Sequence, residues 1–161
     1  MSEASMLKLA QTALSGFGIT DELVAVGQFN PRGHTGGRFA GGLAGGSAGE
    51  RLAGTIGGDI GVAAGSIAGQ RAADSASGLP RSMLVALSAE RIYGFDAPTR
   101  RSEPRAVIFD LARSEIETKV HQRVNVRILE LIDRRSGDTI ELEGNRLPIT
   151  HSGDVIKALT R

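Results

Sequence analysis

The 161-residue chain contains no cysteine, which excludes disulfides, thiolate metal sites and cysteine nucleophiles. We therefore look first at its histidines, serines and glycines for metal ligands, nucleophiles and phosphate-binding loops. The three histidines, His34, His121 and His151, lack metal-ligand spacing, and no HExxH arrangement occurs. We expect His34 to lie in a turn, His151 at the start of a helix and His121 on an exposed strand, with His34 and His151 solvated. The sequence therefore predicts no metal site and no catalytic histidine.

The glycines do not form a nucleotide-binding motif. A phosphate-binding loop needs a lysine after its glycines, and the chain has none between Lys8 and Lys119. In a dinucleotide fingerprint starting at Gly16 and Gly18, Asp21 would occupy the place of the third glycine. No G-x-S-x-G elbow surrounds the serines of the glycine-rich region, which are Ser47, Ser66 and Ser75. We therefore predict neither a cofactor nor an enzymatic activity.

The charged and aromatic composition argues against a nucleic-acid partner. The formal net charge is only +1, and one Tyr, five Phe and no Trp leave few rings on which bases could stack. One cluster of basic residues could contact lipid headgroups; it consists of Arg100, Arg101 and Arg105. Because Glu103 interrupts this cluster, we favour the interpretation that it is a solvated loop. A second group is predicted to form cross-strand ion pairs. It comprises Arg123, Arg127, Arg134 and Arg135, with Glu115, Glu117, Glu130 and Asp133 as partners.

Hydrophobic periodicity predicts the elements that position these residues. An apolar stripe from Met6 to Leu14 predicts a helix that Gly16 and Gly18 end, and residues 23–30 predict a strand that Pro31–Gly33 ends. Six further strands are predicted, at 82–89, 91–97, 105–111, 116–121, 124–133 and 139–144. A final helix follows, capped by Thr150 or Ser152, with Val155, Ile156 and Leu159 on its buried face.

These elements predict an α+β fold: a small antiparallel β-barrel or sandwich capped by the C-terminal helix. Six strands from residue 82 onward would leave an exposed sheet edge, and strand 23–30 would complete that sheet. The glycine-rich region then becomes an insertion between the first and second strands. The predicted parts are an N-terminal helix (1–20), a β domain (21–32 and 79–161) and an inserted helical hairpin (33–78).

The stretch LVALSAERIYGFDA (84–97) resembles the second hairpin of bacterial pleckstrin-homology-like (GRAM-like) domains. In that hairpin a strand leads through a polar turn with an arginine into an aromatic strand, and Ser88 stands where the family often has Thr. The resemblance covers about 23–30 and 80–160 and implies the same capped β fold. The whole chain also resembles bacterial proteins in which such a domain carries a glycine-rich insert, a resemblance that implies no activity.

The glycine-rich region has a helical period. From residue 33 to residue 73 every fourth position is Gly or Ala, and the larger apolar residues keep another register. Positions four apart share one face of an α-helix. Such a face resembles a glycine zipper, which lets helix backbones approach closely. With a bend at Glu50–Arg51, we predict two helices at about 36–49 and 52–73. The predicted contact residues are Gly37, Gly41, Gly45, Gly49, Gly57, Gly61, Gly65 and Gly69.

The functional hypothesis is a non-enzymatic, self-associating scaffold, in which the hairpin drives homo-oligomerisation of the pleckstrin-homology-like module. Membrane attachment by the hairpin stays open, because Asp59 makes insertion costly. The alternative is a soluble partner- or lipid-binding module with a passive insert. The predicted location is the cytoplasm, or the inner face of the cell membrane if the hairpin attaches. The predicted partner is a second copy of the chain, with membrane lipid as an open second partner.

Overall fold

The computed structural model describes residues 2–35, 79–99 and 102–161, without the side chains of residues 34 and 35. Two α-helices, seven β-strands and two short 3-10 turns make up this part of the chain. In order, they are α1 (Glu3–Gly16), β1 (Leu23–Thr35), β2 (Met83–Ser88), β3 (Arg91–Asp96), β4 (Ala106–Ala112), a 3-10 turn (Arg113–Glu115), β5 (Ile116–Gln122), β6 (Val126–Asp133), β7 (Thr139–Asn145), a second 3-10 turn (Pro148–Thr150) and α2 (Ser152–Thr160). The predicted α+β class and C-terminal helix are confirmed.

All seven strands form one antiparallel sheet in the order β4-β3-β2-β1-β7-β6-β5. The long strand β1 pairs with β2 through Leu23–Phe29 and with β7 through Asn30–Thr35. We call β1–β4 the first half of the sheet and β1 with β5–β7 the second half. Of the predicted barrel or sandwich, the barrel is wrong, because the sheet is not closed: β4 and β5 lie at its two edges and only a 3-10 turn connects them.

The first strand is longer than predicted. Pro31 does not end β1 but pairs with Leu142, and the register shifts between Pro31 and Gly33. A bulge tolerates proline, since the missing N–H falls where the ladder is already interrupted. His34 therefore lies opposite Ile140 in a strand and not in a turn. Residues 33–35 belong to the sheet, and the predicted helices at about 36–49 and 52–73 lie outside the described residues.

Two apolar clusters cover the two faces of the first half. In β2, Met83, Val85 and Leu87 join the larger cluster, which also holds residues of the second half and of α2. The intervening Leu84 and Ala86 join a second cluster beneath α1. The α1 side chains in that cluster include Met6, Ala10 and Leu14, spaced four apart along one helix face. The first half is thus buried on both sides, one side by α1.

The start of α2 lies directly on the sheet at two glycines. A Cβ atom at Gly27 would lie 2.8 Å from the carbonyl oxygen of His151, and one at Gly144 would lie 2.8 Å from the Cβ of Ser152. Side chains there would push the helix away. Neither predicted cap is used: His151 occupies the N-cap position, and the Ser152 Oγ donates to the carbonyl of Asn145 at 2.8 Å.

Candidate functional site

A cleft of about 430 Å³ lies where the first turn of α2 meets the loop that follows β7. β6 contributes Arg127 to its wall, and the first turn of α1 contributes Glu3. We call this cavity the α2 cleft. Its charged or titratable side chains are Glu3, Arg127, Arg146, His151, Asp154 and Lys157, and its apolar lining includes Leu147 and Pro148.

Hydrogen bonds to the end of β7 hold the loop that forms this cleft. The hydroxyls of Thr150 and Ser152 both donate to the carbonyl of Asn145, at 3.1 and 2.8 Å. The side-chain oxygen of Asn145 also accepts from the Leu147 backbone N–H at 3.0 Å. The loop between β7 and α2 is therefore fixed at both ends, and its side chains have defined positions around the cleft.

His151 has an unusual backbone conformation. Its φ is 52°, and in the described part of the chain it is the one non-glycine residue with positive φ. This left-handed conformation costs about 1–2 kcal/mol in a non-glycine residue. It lets the His151 carbonyl rest against Gly27 while the ring turns into the cleft. The ring is only 18% exposed, and its Nδ1 lies 3.3 Å from an Asp154 carboxylate oxygen, so the prediction of a solvated His151 is wrong.

Three potential metal ligands meet in the α2 cleft. One ligand atom each from Glu3, His151 and Asp154 lies within 4.8 Å of the other two. A nitrogen and two carboxylates suit divalent transition metals. However, Lys157 Nζ lies 3.8 Å from Asp154, and Arg127 lines the same cavity. Lys157 already pairs with Asp154, and the positive charges of Lys157 and Arg127 oppose a bound cation, so we describe the arrangement as ion pairs centred on Asp154 and assign no metal site to it.

Sequence reasoning missed this constellation because its members come from opposite ends of the chain. Glu3 begins α1, whereas His151 and Asp154 flank the start of α2. The i, i+3 spacing of His151 and Asp154 was the one local signal available. Only the packing of both helices against β1 brings Glu3 to them.

A second polar network lies under α1. The Tyr93 hydroxyl donates to the carboxylate of Asp21, and Tyr93 itself is fully buried. Gln11 on α1 donates to the Asp21 carbonyl at 2.8 Å and accepts from the Leu23 N–H at 2.9 Å. These bonds fasten α1 and the chain after it to the first half. Because Tyr93 has no exposed surface, we assign this network a structural role.

Of the predicted arginine pairs, the ion pair of Arg135 with Glu115, at 2.6 Å, is present. Glu130 instead lies 3.3 Å from His121, whose ring is 58% exposed as the sequence predicts. Asp133 is buried and accepts the backbone N–H of Arg135 at 2.8 Å. The acidic residues therefore do more than pair with arginine side chains, because Asp133 also shapes the turn between β6 and β7.

The other predicted site residues fall outside the described ranges. All eight zipper glycines lie there; they are Gly37, Gly41, Gly45, Gly49, Gly57, Gly61, Gly65 and Gly69. Arg100 and Arg101 lie outside as well, whereas Arg105 is exposed just before β4. No helix within residues 2–35, 79–99 and 102–161 is long and apolar enough to cross a membrane.

Comparison with models of known protein families finds no match, and comparison with curated proteins finds none either.

Proposed function

We propose that the chain is a non-enzymatic scaffold in which a glycine-zipper segment drives homo-oligomerisation of a pleckstrin-homology-like module. Three features support the proposal that the β domain is a pleckstrin-homology-like module. They are the sheet order, the long strand β1 shared by both halves, and the C-terminal helix packed against β1 and β7. The location of the glycine-rich segment supports its role as an insertion. It connects β1 with β2, which are neighbouring strands of one sheet.

The observation that carries the proposal is the four-residue spacing of small residues from Gly37 to Ala73. Each glycine in a helix costs about 0.8–1.0 kcal/mol relative to alanine, so the eight predicted contact glycines together cost about 6–8 kcal/mol. In a passive insert, no contact would offset the free-energy cost of placing glycines on one helix face. Close backbone packing between helices of different copies offsets this cost and uses the bare face.

Asp59 favours association over simple insertion into a bilayer. A carboxylate at the centre of a membrane helix costs about 2.5–3.5 kcal/mol on insertion scales. Packing between copies would shield Asp59 against Arg51 or Arg71 of the same segment. We therefore place self-association first and treat membrane attachment by the segment as secondary to it. The proposed location is the cytoplasm, at the inner face of the membrane when attached.

The alternative function is a soluble partner- or lipid-binding module whose insert is passive. The α2 cleft, with its basic side chains and apolar rim, is the feature that favours it. The two functions differ in one property. Only the scaffold requires the glycine face for assembly.

Substitutions on opposite faces of the predicted second helix test the scaffold. Gly61→Leu fills the bare face, whereas Ala63→Leu adds the same side chain about 200° around the helix. Leucine is a better helix former than glycine, so a loss of assembly in Gly61→Leu cannot come from lower helix propensity. We expect Gly61→Leu to dissociate the oligomer in analytical ultracentrifugation, and Ala63→Leu and Gly61→Ala to assemble like the parent. Equal assembly of Gly61→Leu and Ala63→Leu would refute the zipper face.

A further inference from the structure

Exposed aliphatic side chains concentrate on two adjoining loops at one end of the module. Val124, in the turn between β5 and β6, is 87% exposed; Leu147 and Ile149, in the loop before α2, are 54% and 48% exposed. The Arg146 guanidinium donates to the Val124 carbonyl at 3.2 Å, which joins the two loops. We call these three residues the apolar tip. They are three of the five large hydrophobic residues exposed in the described ranges.

Basic side chains surround the apolar tip. Arg123 precedes Val124, and Arg146 precedes Leu147, and both are exposed. Arg127 and Lys157 line the adjacent α2 cleft, into which Leu147 also extends. The acidic residues of that cleft are Glu3 and Asp154. Four positive groups therefore face two negative ones, and the excess of positive charge surrounds the aliphatic side chains.

We infer that this end of the module binds the surface of an anionic phospholipid bilayer. In this arrangement the apolar tip enters the boundary between headgroups and acyl chains, and Arg123 and Arg146 contact lipid phosphates. Aliphatic side chains at the crest of a turn, flanked by arginines, fit a deformable apolar layer beneath anionic groups. A protein hot spot would instead call for aromatic anchors and well-packed pockets, and the apolar tip contains no aromatic residue.

The inference rests on none of the residues of the glycine segment, and Thr35, where the chain leaves the sheet toward that segment, lies at the opposite end of β7 from the apolar tip. Val126 pairs with Asn145, whereas Thr35, after which the glycine-rich chain begins, pairs with Thr139 at the other end of β7. The proposal of a scaffold and the inference of a membrane contact can therefore each be refuted without the other.

A tryptophan reporter tests the inference directly, since the full chain contains no other tryptophan. Val124→Trp is compared with Val24→Trp, which lies at the start of β1 and is 56% exposed. We expect a blue-shifted emission from Val124→Trp with vesicles of phosphatidylcholine and phosphatidylserine, and none with phosphatidylcholine alone. Val24→Trp should show no shift with either. An unshifted Val124→Trp, or equal shifts at both positions, overturns the inference.

Vesicle sedimentation of otherwise unmodified full-length variants gives the second measurement. We expect Val124→Ser/Leu147→Ser to bind anionic vesicles at least about tenfold more weakly than the parent. The matched control, Val24→Ser/Val120→Ser, removes two exposed aliphatic side chains elsewhere and should bind like the parent. Replacing both Arg123 and Arg146 by Gln should weaken binding by about twentyfold or more at low salt, since each basic group contributes about fivefold.

The same variants distinguish the membrane contact from the proposed scaffold. Val124→Ser/Leu147→Ser should sediment as the same oligomer as the parent in the absence of vesicles. If it instead dissociates while vesicle binding is unchanged, a second copy of the chain covers the apolar tip and the inference is wrong. Gly61→Leu should keep the blue shift of Val124→Trp even when the oligomer is lost.

Discussion

The two halves of the sheet differ in how many faces of their strands are buried. In β2 all six side chains are buried, because α1 covers one face and the main core covers the other. In β7, buried Ile140, Leu142 and Gly144 alternate with more exposed neighbours. The stability of the first half therefore depends on packing against α1 and on hydrogen bonds of buried side chains. In the second half, charged side chains lie on the solvent-exposed face. Substitutions of equal size should thus be more harmful in the first half.

The largest effect is expected where α1 covers the first half. Leu14 on α1 is fully buried, and Leu14→Ala should lower the free energy of unfolding by about 2–5 kcal/mol through lost burial and a cavity. Leu7→Ala, on the same helix but only partly buried, is the matched control and should cost clearly less. Urea unfolding followed by circular dichroism measures both. Equal costs would mean that α1 does not cover the sheet as described.

A smaller loss is expected from the polar bond beneath α1. Tyr93→Phe keeps the ring and removes the hydroxyl that donates to the Asp21 carboxylate. Because the lost bond joins the hydroxyl of the buried Tyr93 to a part-buried carboxylate, the free energy of unfolding should fall by about 1–2 kcal/mol. A double-mutant cycle with Asp21→Ala, which removes the acceptor, isolates this bond, and additive single effects would show that the two side chains are not coupled.

The smallest effect is expected on the outer face of the second half. Glu130 lies 3.3 Å from the exposed ring of His121, and Glu130→Gln should change the free energy of unfolding by less than about 0.5 kcal/mol. Thermal unfolding at low and high salt provides the measurement. A loss comparable to that of Tyr93→Phe would contradict the proposed difference between the halves.

This contrast also explains how far the sequence predicts the fold. Alternating residues such as 124–133, and short apolar runs such as 82–89, gave strands within about two residues of their observed bounds. Hydrophobic periodicity does not show which element covers each face of a strand that is buried on both faces, such as β2. Nor did it anticipate that β1 passes through Pro31, because proline signals a strand end unless a bulge accommodates it.

The α2 cleft was beyond prediction for a different reason. Its shape depends on Gly27 and Gly144, which let α2 approach the sheet, and on the left-handed backbone of His151. Glycine in a strand signals close approach but does not identify the approaching element. The exposure of Val124 was not predicted either, because residues 124–133 were predicted as one strand, whereas β6 begins at Val126 and Val124 lies in the turn before it.

The most direct test of the central claim is the molar mass of the unmodified full-length chain, measured by light scattering after gel filtration in buffer and in mild detergent. A scaffold assembled through its glycine face predicts a discrete mass that is a multiple of a single chain. A single-chain mass in both solutions, at concentrations well above those used for binding, would contradict it.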